Sequence, residues 1–524
     1  MSKKHKTPKT LPAKKIKGIS LSDRNIFLIL FLVFLILMIL LYDPKLFLGG
    51  DNAHYIILGK SLLQGTGYRD ILAPGSPPHT LYPPGFPLII IPGLILFGDN
   101  YGLLKFIVIA LALGSFAIFY SLLRRRTDSR NWLLPMAILA VSPIILEYSH
   151  WLLSEIPFLF FSILAFYLFE RFEILKKDNL FLFLLMAISV TFIFFIRSIG
   201  ISLVLACLVY LLYKRRWREL IVLAIIAALF IIPWQIRNSK VGSQAGGYFQ
   251  QFLARNPYEP ELGNINFSEY VSRVLANFKL YAFFVIPQIL FPSLTSSSLL
   301  NVLGFALLVF LIIGLVNIIK KKSIGVWEIY LVIFMVITLS WPQVWSGDRF
   351  LIPILPFLIY YIFVGLSQFS QFVKFKVLTQ IILGLMIILA LVDSVKKIPP
   401  NLANLSAYLN GDKYAGYPMD WQRYFETLKW IKENTENDAI VVSRKPPFTY
   451  LLGQRKSFLF LFSNDVDQII SDFYQKKASY ILFDSFYWSG TTRKYIGPLL
   501  QARPDKFELL YKSQPPEMYV FRIK

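Results

Sequence analysis

The stretch "YPPGFPLIIIPGLILF", Tyr82 to Phe97, decides how the whole chain is threaded. It is apolar enough to invite reading as a membrane span. It is also only 16 residues long and holds Pro83, Pro84, Pro87 and Pro92, whereas a helix crossing the hydrocarbon needs about 20 residues and tolerates proline poorly. If it did cross, the next apolar run, Tyr101 to Leu123, would deliver Arg124, Arg125 and Arg126 to the exterior. Basic residues concentrate in cytoplasmic loops, so that threading is rejected. The segment is therefore expected to be a re-entrant or interfacial element.

Outward from there the other runs fall into line. The chain of 524 residues is 56% hydrophobic and only 16% charged, yet 54 Lys and Arg against 31 Asp and Glu give a net charge of +23. A basic excess can signal nucleic acid, but these cations cluster in short loops between apolar runs, the pattern of a polytopic membrane protein. No nucleic-acid partner is expected; the partner of the apolar surface is the lipid bilayer. The clusters "RRR" (124–126), "ERFEILKK" (170–177), "KRRWR" (214–218), "KKK" (320–322) and "KFK" (374–376) all become cytoplasmic. About eleven spans result, near 26–42, 101–123, 131–149, 152–170, 180–196, 198–213, 219–235, 297–319, 326–341, 350–368 and 377–393. The Lys-rich opening, 1–25, reads as a cytoplasmic tail rather than a cleaved signal, since no small-residue cleavage site follows the first apolar run. The single cysteine, Cys207, excludes an internal disulfide and a cysteine metal site.

Between residues 26 and 393 two exterior loops interrupt this pattern, 43–100 and 236–296. The second contains the amphipathic "FSEYVSRVLANFKLY" (267–281), suited to the membrane interface. From about Ser394 the composition turns mixed and soluble. Trp421, Tyr424, Phe425, Leu428 and Ile431 recur at helical spacing, "AIVVS" (439–443) and "SYILFD" (479–484) read as short strands, and "DVDQIISDFY" (465–474) as a further helix. Residues 394–524 are thus expected to form a small exterior α/β domain, and they carry no glycine-rich phosphate loop.

The threading gathers polar residues on the exterior face. Asp51, His54, Lys60, Arg69, Asp70 and His79 lie between the first two spans; Glu155 opens the fourth, Arg197 closes the fifth, Arg237 follows the seventh, and Asp348 with Arg349 precedes the tenth. If Asp51 starts a helix, His54 and Tyr55 share its face one turn on. Singly, each residue has a bland reading: a helix cap for Asp51, a solvated span end for Glu155, snorkelling anchors for the arginines. Together, cations converging on an aqueous face suit a phosphate, and a carboxylate at the boundary suits a general base toward a hydroxyl or amine. His54 and His79 have no metal-ligand spacing, so no metal site is assigned. No cofactor is required by any motif, although paired acids leave a divalent cation open.

In the order "GGDNAHYIILGKSLLQGTGY", "HTLYPPGFPLIIIPGLILFGDN", "HWLLSEIPFLFF" and "GDRFLIPILPF", the layout resembles the polyprenyl-phosphate-dependent glycosyltransferases of the GT-C superfamily. It is most similar to the branch holding dolichyl-phosphate-mannose protein mannosyltransferases and bacterial lipid A aminoarabinose transferases. The resemblance covers roughly residues 26–370. It implies a polytopic α-helical fold and transfer of a sugar from a polyprenyl-phosphate donor to an exterior acceptor, usually with inversion. It also implies catalytic roles for Asp51 and Glu155. His54, Tyr55, Lys60, His79, Tyr82, Arg197, Arg237 and Arg349 are the expected substrate contacts, with Arg349 on the donor phosphate and Arg197 or Arg237 assisting. At Tyr82 the chain departs from the aminoarabinose transferases, which carry a Lys there, so the cation holding the phosphate stays open. The rival class is a multi-span lipid or solute transporter, in which boundary charges mark a pathway; no internal repeat of spans supports it.

Overall fold

The computed structural model describes residues 21–127, 130–175, 179–241, 248–320, 324–375 and 377–524. The 1–20 part of the basic tail, Lys176, Lys177, Lys321, Lys322 and Lys376 lie outside them. The membrane half begins with α1 (Leu21–Leu40), α2 (Asp51–Leu63), α3 (Gly85–Phe97) and α4 (Tyr101–Arg126). It continues through α5 (Leu133–Val141), α6 (Pro143–Ser149), α7 (Glu155–Leu175), α8 (Leu180–Ile196), α9 (Ile201–Tyr213) and α10 (Trp217–Val241). Then come α11 (Tyr248–Leu253), α12 (Phe267–Leu280), α13 (Ile286–Leu290), α14 (Ser297–Lys320), α15 (Val326–Ser340), α16 (Leu355–Phe372) and α17 (Leu378–Lys396). Among the described residues, 7 helical segments are long and apolar enough to cross a membrane by length and composition, and α8, α9 and α15 are shorter apolar helices. The protein is an integral membrane protein of the expected helical class.

Ion pairs fix one end of the bundle. Asp23 of α1 meets Arg124 of α4 at 2.9 Å and Arg130, before α5, at 3.2 Å. Arg126 joins Glu170 of α7 at 2.8 Å and Glu328 of α15 at 3.4 Å, and Arg216, before α10, pairs with Glu173 of α7. The basic clusters at 124–126, 170–177 and 214–218 therefore share one end, as the charge pattern requires. At the opposite end, Lys105 of α4 donates to the Asp43 carbonyl at 2.6 Å, His150 after α6 to the Met38 carbonyl at 2.9 Å, and Ser394 of α17 to the Val141 carbonyl at 2.9 Å. The passage expected at 131–149 is broken. Pro143 lacks an N–H, so α5 stops at Val141 and α6 restarts with Pro143 at its first position. Where α14 and α16 cross, a Cβ on Gly365 would lie 1.8 Å from the Phe310 carbonyl oxygen. Only glycine permits that backbone approach, the usual small-residue device of membrane helix pairs.

The Pro-rich stretch does not run from end to end. The Gly85 backbone at the start of α3 lies against Phe195 and Ile196, where α8 finishes. Three residues after α3, Asn100 caps the start of α4 by accepting from the Leu103 N–H. Both places belong to the end opposite the basic clusters. Residues 267–290 are long and apolar enough to be counted among the span candidates, but their contacts stay at that same end. Tyr270 bonds Ser340 at 2.9 Å, Asn277 donates to the Leu339 and Trp341 carbonyls at 2.8 Å, and Tyr281 accepts from the Gly347 N–H. The amphipathic α12 thus lies across the end of α15, opened by a capping box between Asn266 and Glu269.

The tail continues with α18 (Ile398–Leu409), α19 (Met419–Asn434), α20 (Pro446–Gly453), α21 (Val466–Gln475) and α22 (Thr491–Ala502), and with β1 (Ile440–Val442), β2 (Lys456–Phe458), β3 (Tyr480–Phe483), β4 (Phe507–Lys512) and β5 (Tyr519–Ile523). The sheet runs β2-β1-β3-β5-β4, with β1 parallel to β2 and β3, and β5 antiparallel to β3 and β4. The apolar stripe on α19 is buried on one face of this sheet, while Ile469 and Phe473 of α21 and Tyr495, Ile496 and Leu499 of α22 are buried on the other. Helix α20 packs on α2, and the Ser457 N–H of β2 donates to the Leu72 carbonyl at 2.7 Å. These contacts seat the tail on the loop that carries Asp51.

Candidate active site

Asp51 is the first residue of α2. The residue before it, Gly50, has φ of 98°, a left-handed conformation that a side chain resists, and this turn swings the Asp51 carboxylate toward the α7, α8 and α16 ends. Its Oδ2 pairs with Arg349 Nη1 at 2.9 Å, and its Oδ1 accepts from the Tyr82 hydroxyl at 3.0 Å. Arg349 sits in a short turn ahead of α16 and also directs Nε at Glu155 Oε1, 2.7 Å away. Glu155 opens α7, is fully buried, and forms a second ion pair with Arg197 at the end of α8. Arg197 reaches Ser154 Oγ at 3.3 Å, and the Tyr55 hydroxyl meets the same oxygen at 3.1 Å. Two arginines thus neutralise two carboxylates. Asp51 occupies the partly open edge of the network, and Glu155 lies behind it with Oε2 lacking a hydrogen-bond partner among the described residues.

His54 and His79 lie beside this network, held by Asp70. The Tyr82 backbone N–H donates to His79 Nε2 at 2.7 Å, so that nitrogen keeps its lone pair and the ring proton is on Nδ1. Nδ1 donates to Asp70 at 2.9 Å, and His54 Nε2 donates to the same Oδ1 at 2.6 Å. Burial pushes the Asp70 carboxyl up, but the two histidines more than offset it and hold it well below the usual carboxylate range. Burial pushes His79 down from its ordinary value against the pull of Asp70. The donor atoms of His54, Asp70 and His79 come within 4.8 Å of one another. An ion on His79 Nδ1 would force the ring proton onto Nε2, against the Tyr82 N–H. The cluster is satisfied as a hydrogen-bond network that anchors Tyr82 and orients His54.

Asp51, Tyr55, Tyr82, Glu155, Arg197 and Arg349 are therefore brought together, with His54 and His79 adjoining. Lys60 and Arg237 are not. Lys60 lies in the last turn of α2, paired with Asp99 and 3.3 Å from the Tyr101 hydroxyl. Arg237 donates to the His79 and Tyr68 carbonyls at 2.8 and 3.1 Å and stacks 5.0 Å from Trp234, so it ties α10 to the first loop. Two contributors were not legible in the sequence. Tyr148 donates to Asp348 at 3.1 Å. Lys445, from the tail, donates to the Gly49 carbonyl at 3.1 Å; no local motif could link it to a residue so distant in sequence. Next to Asp348 is a cavity of about 380 Å³ whose wall includes Glu147, Lys397, Ser346 and Gln288 together with apolar Phe284 and Ile289.

The fold and network define a polytopic helical membrane protein whose paired carboxylates and arginines meet at one end of the bundle. Residues 82–236 match the family described as dolichyl-phosphate-mannose-protein mannosyltransferase. The crystal structure of ArnT from Cupriavidus metallidurans in the apo state superposes with a TM-score of 0.56 at 10% identity, covering 96% of this chain and 98% of that one. The same ArnT bound to undecaprenyl phosphate gives 0.55 at 11% identity, covering 95% and 98%. No curated protein sequence matches. Family match and fold agree with the resemblance to the GT-C superfamily.

Proposed function

We propose that this protein is a membrane glycosyltransferase that takes a sugar from a polyprenyl-phosphate donor and passes it, with inversion, to an acceptor on the face that carries the tail. That face is exterior, and the basic end is cytoplasmic. The observation that carries the reading is the Asp51 carboxylate, partly open and held by Arg349 and Tyr82 at 2.9 and 3.0 Å. The ArnT structure with bound undecaprenyl phosphate supports the donor class.

In this reading an acceptor hydroxyl or amine replaces the Tyr82 hydroxyl on Asp51 Oδ1 and gives up its proton there. The acceptor atom then attacks the anomeric carbon, and the bond from that carbon to the phosphate oxygen breaks. The electron pair leaves with the polyprenyl phosphate, and attack opposite the leaving group inverts the centre. Arg349 Nη1 and Nε hold Asp51 and Glu155, which leaves Nη2 to meet the developing phosphate charge, the kind of fixed cation that favours a transition state. Arg197 and Glu155 fix Arg349 in turn. Purified protein given a labelled polyprenyl-phosphate sugar tests this. Release of polyprenyl phosphate coupled to labelling of an acceptor is expected, and failure across donors that do bind the protein would refute it.

A further inference from the structure

Two cations of the tail, Arg444 and Lys445, are chain neighbours beside the turn that leads into Asp51. Among the described residues neither forms an ion pair. Arg444 donates from Nε to Thr491 at 2.7 Å and stacks 5.2 Å from the Trp488 ring; its two terminal amino groups have no hydrogen-bond partner there. Lys445 lies 4.5 Å over the same ring and donates to the Gly49 and Leu48 carbonyls at 3.1 and 3.5 Å. Its Nζ would be 3.7 Å from a Cβ on Gly50, the residue before Asp51. A cation at the start of α2 opposes the helix dipole, so packing alone does not explain it. Burial and the neighbouring Arg444 push the Lys445 ammonium down to about 8, against the pull of Asp51 and Asp484. Asp484 is the nearby tail carboxylate that acts on both cations, but it is buried, bonded to Thr492 at 2.6 Å and in an ion pair with neither. In the membrane half, by contrast, Arg349 and Arg197 already face two acids.

We propose that Arg444 and Lys445, with Trp488 beneath them, form a phosphate-binding subsite that the tail adds to the Asp51 site. The inference rests on the transferase reading for its purpose and on the geometry for its existence. Trp488 is 48% exposed, which leaves an aromatic face for the sugar ring or lipid carrying the phosphate. The phosphate belongs either to the lipid donor or to a phosphorylated acceptor, and both put an anion where Asp51 works. The tail then contributes to transfer rather than only covering the loop.

The test uses full-length protein in detergent and two probes, undecaprenyl phosphate and a lipid-free sugar phosphate such as glucosamine 1-phosphate. Affinities are measured for the wild type, R444Q, K445Q, and the charge-keeping R444K and K445R. Neutral variants should weaken at least one probe tenfold or more, and R444K and K445R should retain most of the affinity. R444Q is the decisive variant, because Arg444 does not touch the 48–50 turn and its loss leaves that turn's contacts in place. Loss confined to undecaprenyl phosphate assigns the donor; loss confined to the sugar phosphate assigns the acceptor. Unchanged affinity of R444Q for both probes overturns the subsite. If the wild type transfers no sugar yet binds undecaprenyl phosphate in an Arg444-dependent way, the transferase reading fails and the subsite stands.

Discussion

Replacing Glu155 by Gln tests whether the arginine pair is held by charge. Glu155 is fully buried and faces Arg197 and Arg349, while Asp51 faces only Arg349. Removing its charge converts a neutral set of two arginines and two carboxylates into one with a net positive charge. Breaking a buried ion pair by deleting one partner costs about 3–5 kcal/mol. The amide oxygen of Gln still accepts one hydrogen bond, Arg197 keeps Ser154, and Arg349 keeps Asp51, so the expected loss is at the low end, about 3 kcal/mol. The partner change Arg197→Gln in the E155Q background restores neutrality and should recover about 1–2 kcal/mol, within the coupling expected of residues in one network. Reversible unfolding of purified protein in mixed micelles, followed for the wild type, both single variants and the double variant, gives the cycle. A loss for E155Q below about 1 kcal/mol, or no recovery in the double variant, would refute the argument, since either result means the pair is well hydrated.

Gly50→Ala should cost about 1–2 kcal/mol, because φ of 98° resists a side chain, and should lower sugar transfer more than donor binding by turning Asp51; wild-type transfer would contradict this. The histidine cluster predicts an acid limit to stability. Asp70, held below its ordinary value, contributes stability that is complete above about 4 and lost as pH falls further. His79, depressed by burial, stays neutral while the unfolded chain takes up a proton, so stability also falls as pH drops through about 6.5. His79→Asn should remove that second loss in pH-dependent thermal unfolding, and an unaltered profile would argue against it. Reporters fused after residues 98 and 126 should face opposite sides of the membrane, because α4 runs between the two ends of the bundle while α3 does not; a shared side would overturn the threading.

Much of this architecture was legible in particular residues. The prolines of 82–97 and the arginines at 124–126 fixed the threading because proline and charge carry large, local penalties in lipid. The amphipathic run at 267–281 identified α12, whereas apolar length alone would have made a span of 267–290. The apolar spacing on α19 and the strands at 440–442 and 480–483 were also readable. Strands β2, β4 and β5 were not: "KSF" is too short to show alternation, and "FELLYK" and "YVFRI" sit in mixed sequence. At the site, Asp51, Glu155, Arg197 and Arg349 were visible as boundary charges, but their pairing depends on how four helix ends meet. Lys60 and Arg237 share that face and are spent on other partners, which sequence position does not reveal. Lys445 was hidden because its role exists only once the tail docks on α2.

The account turns on Asp51 acting as the base. Asn keeps the size of Asp at the start of α2 and retains an oxygen for the Tyr82 hydroxyl, but it cannot take the acceptor's proton. Transfer from a labelled polyprenyl-phosphate sugar by purified wild-type protein and D51N, with undecaprenyl phosphate binding measured on the same samples, tests the claim most directly. The predicted result is binding within a few-fold of wild type and transfer reduced by about a hundredfold or more. Near-normal turnover by D51N would contradict it, leaving Asp51 as a counter-ion to Arg349.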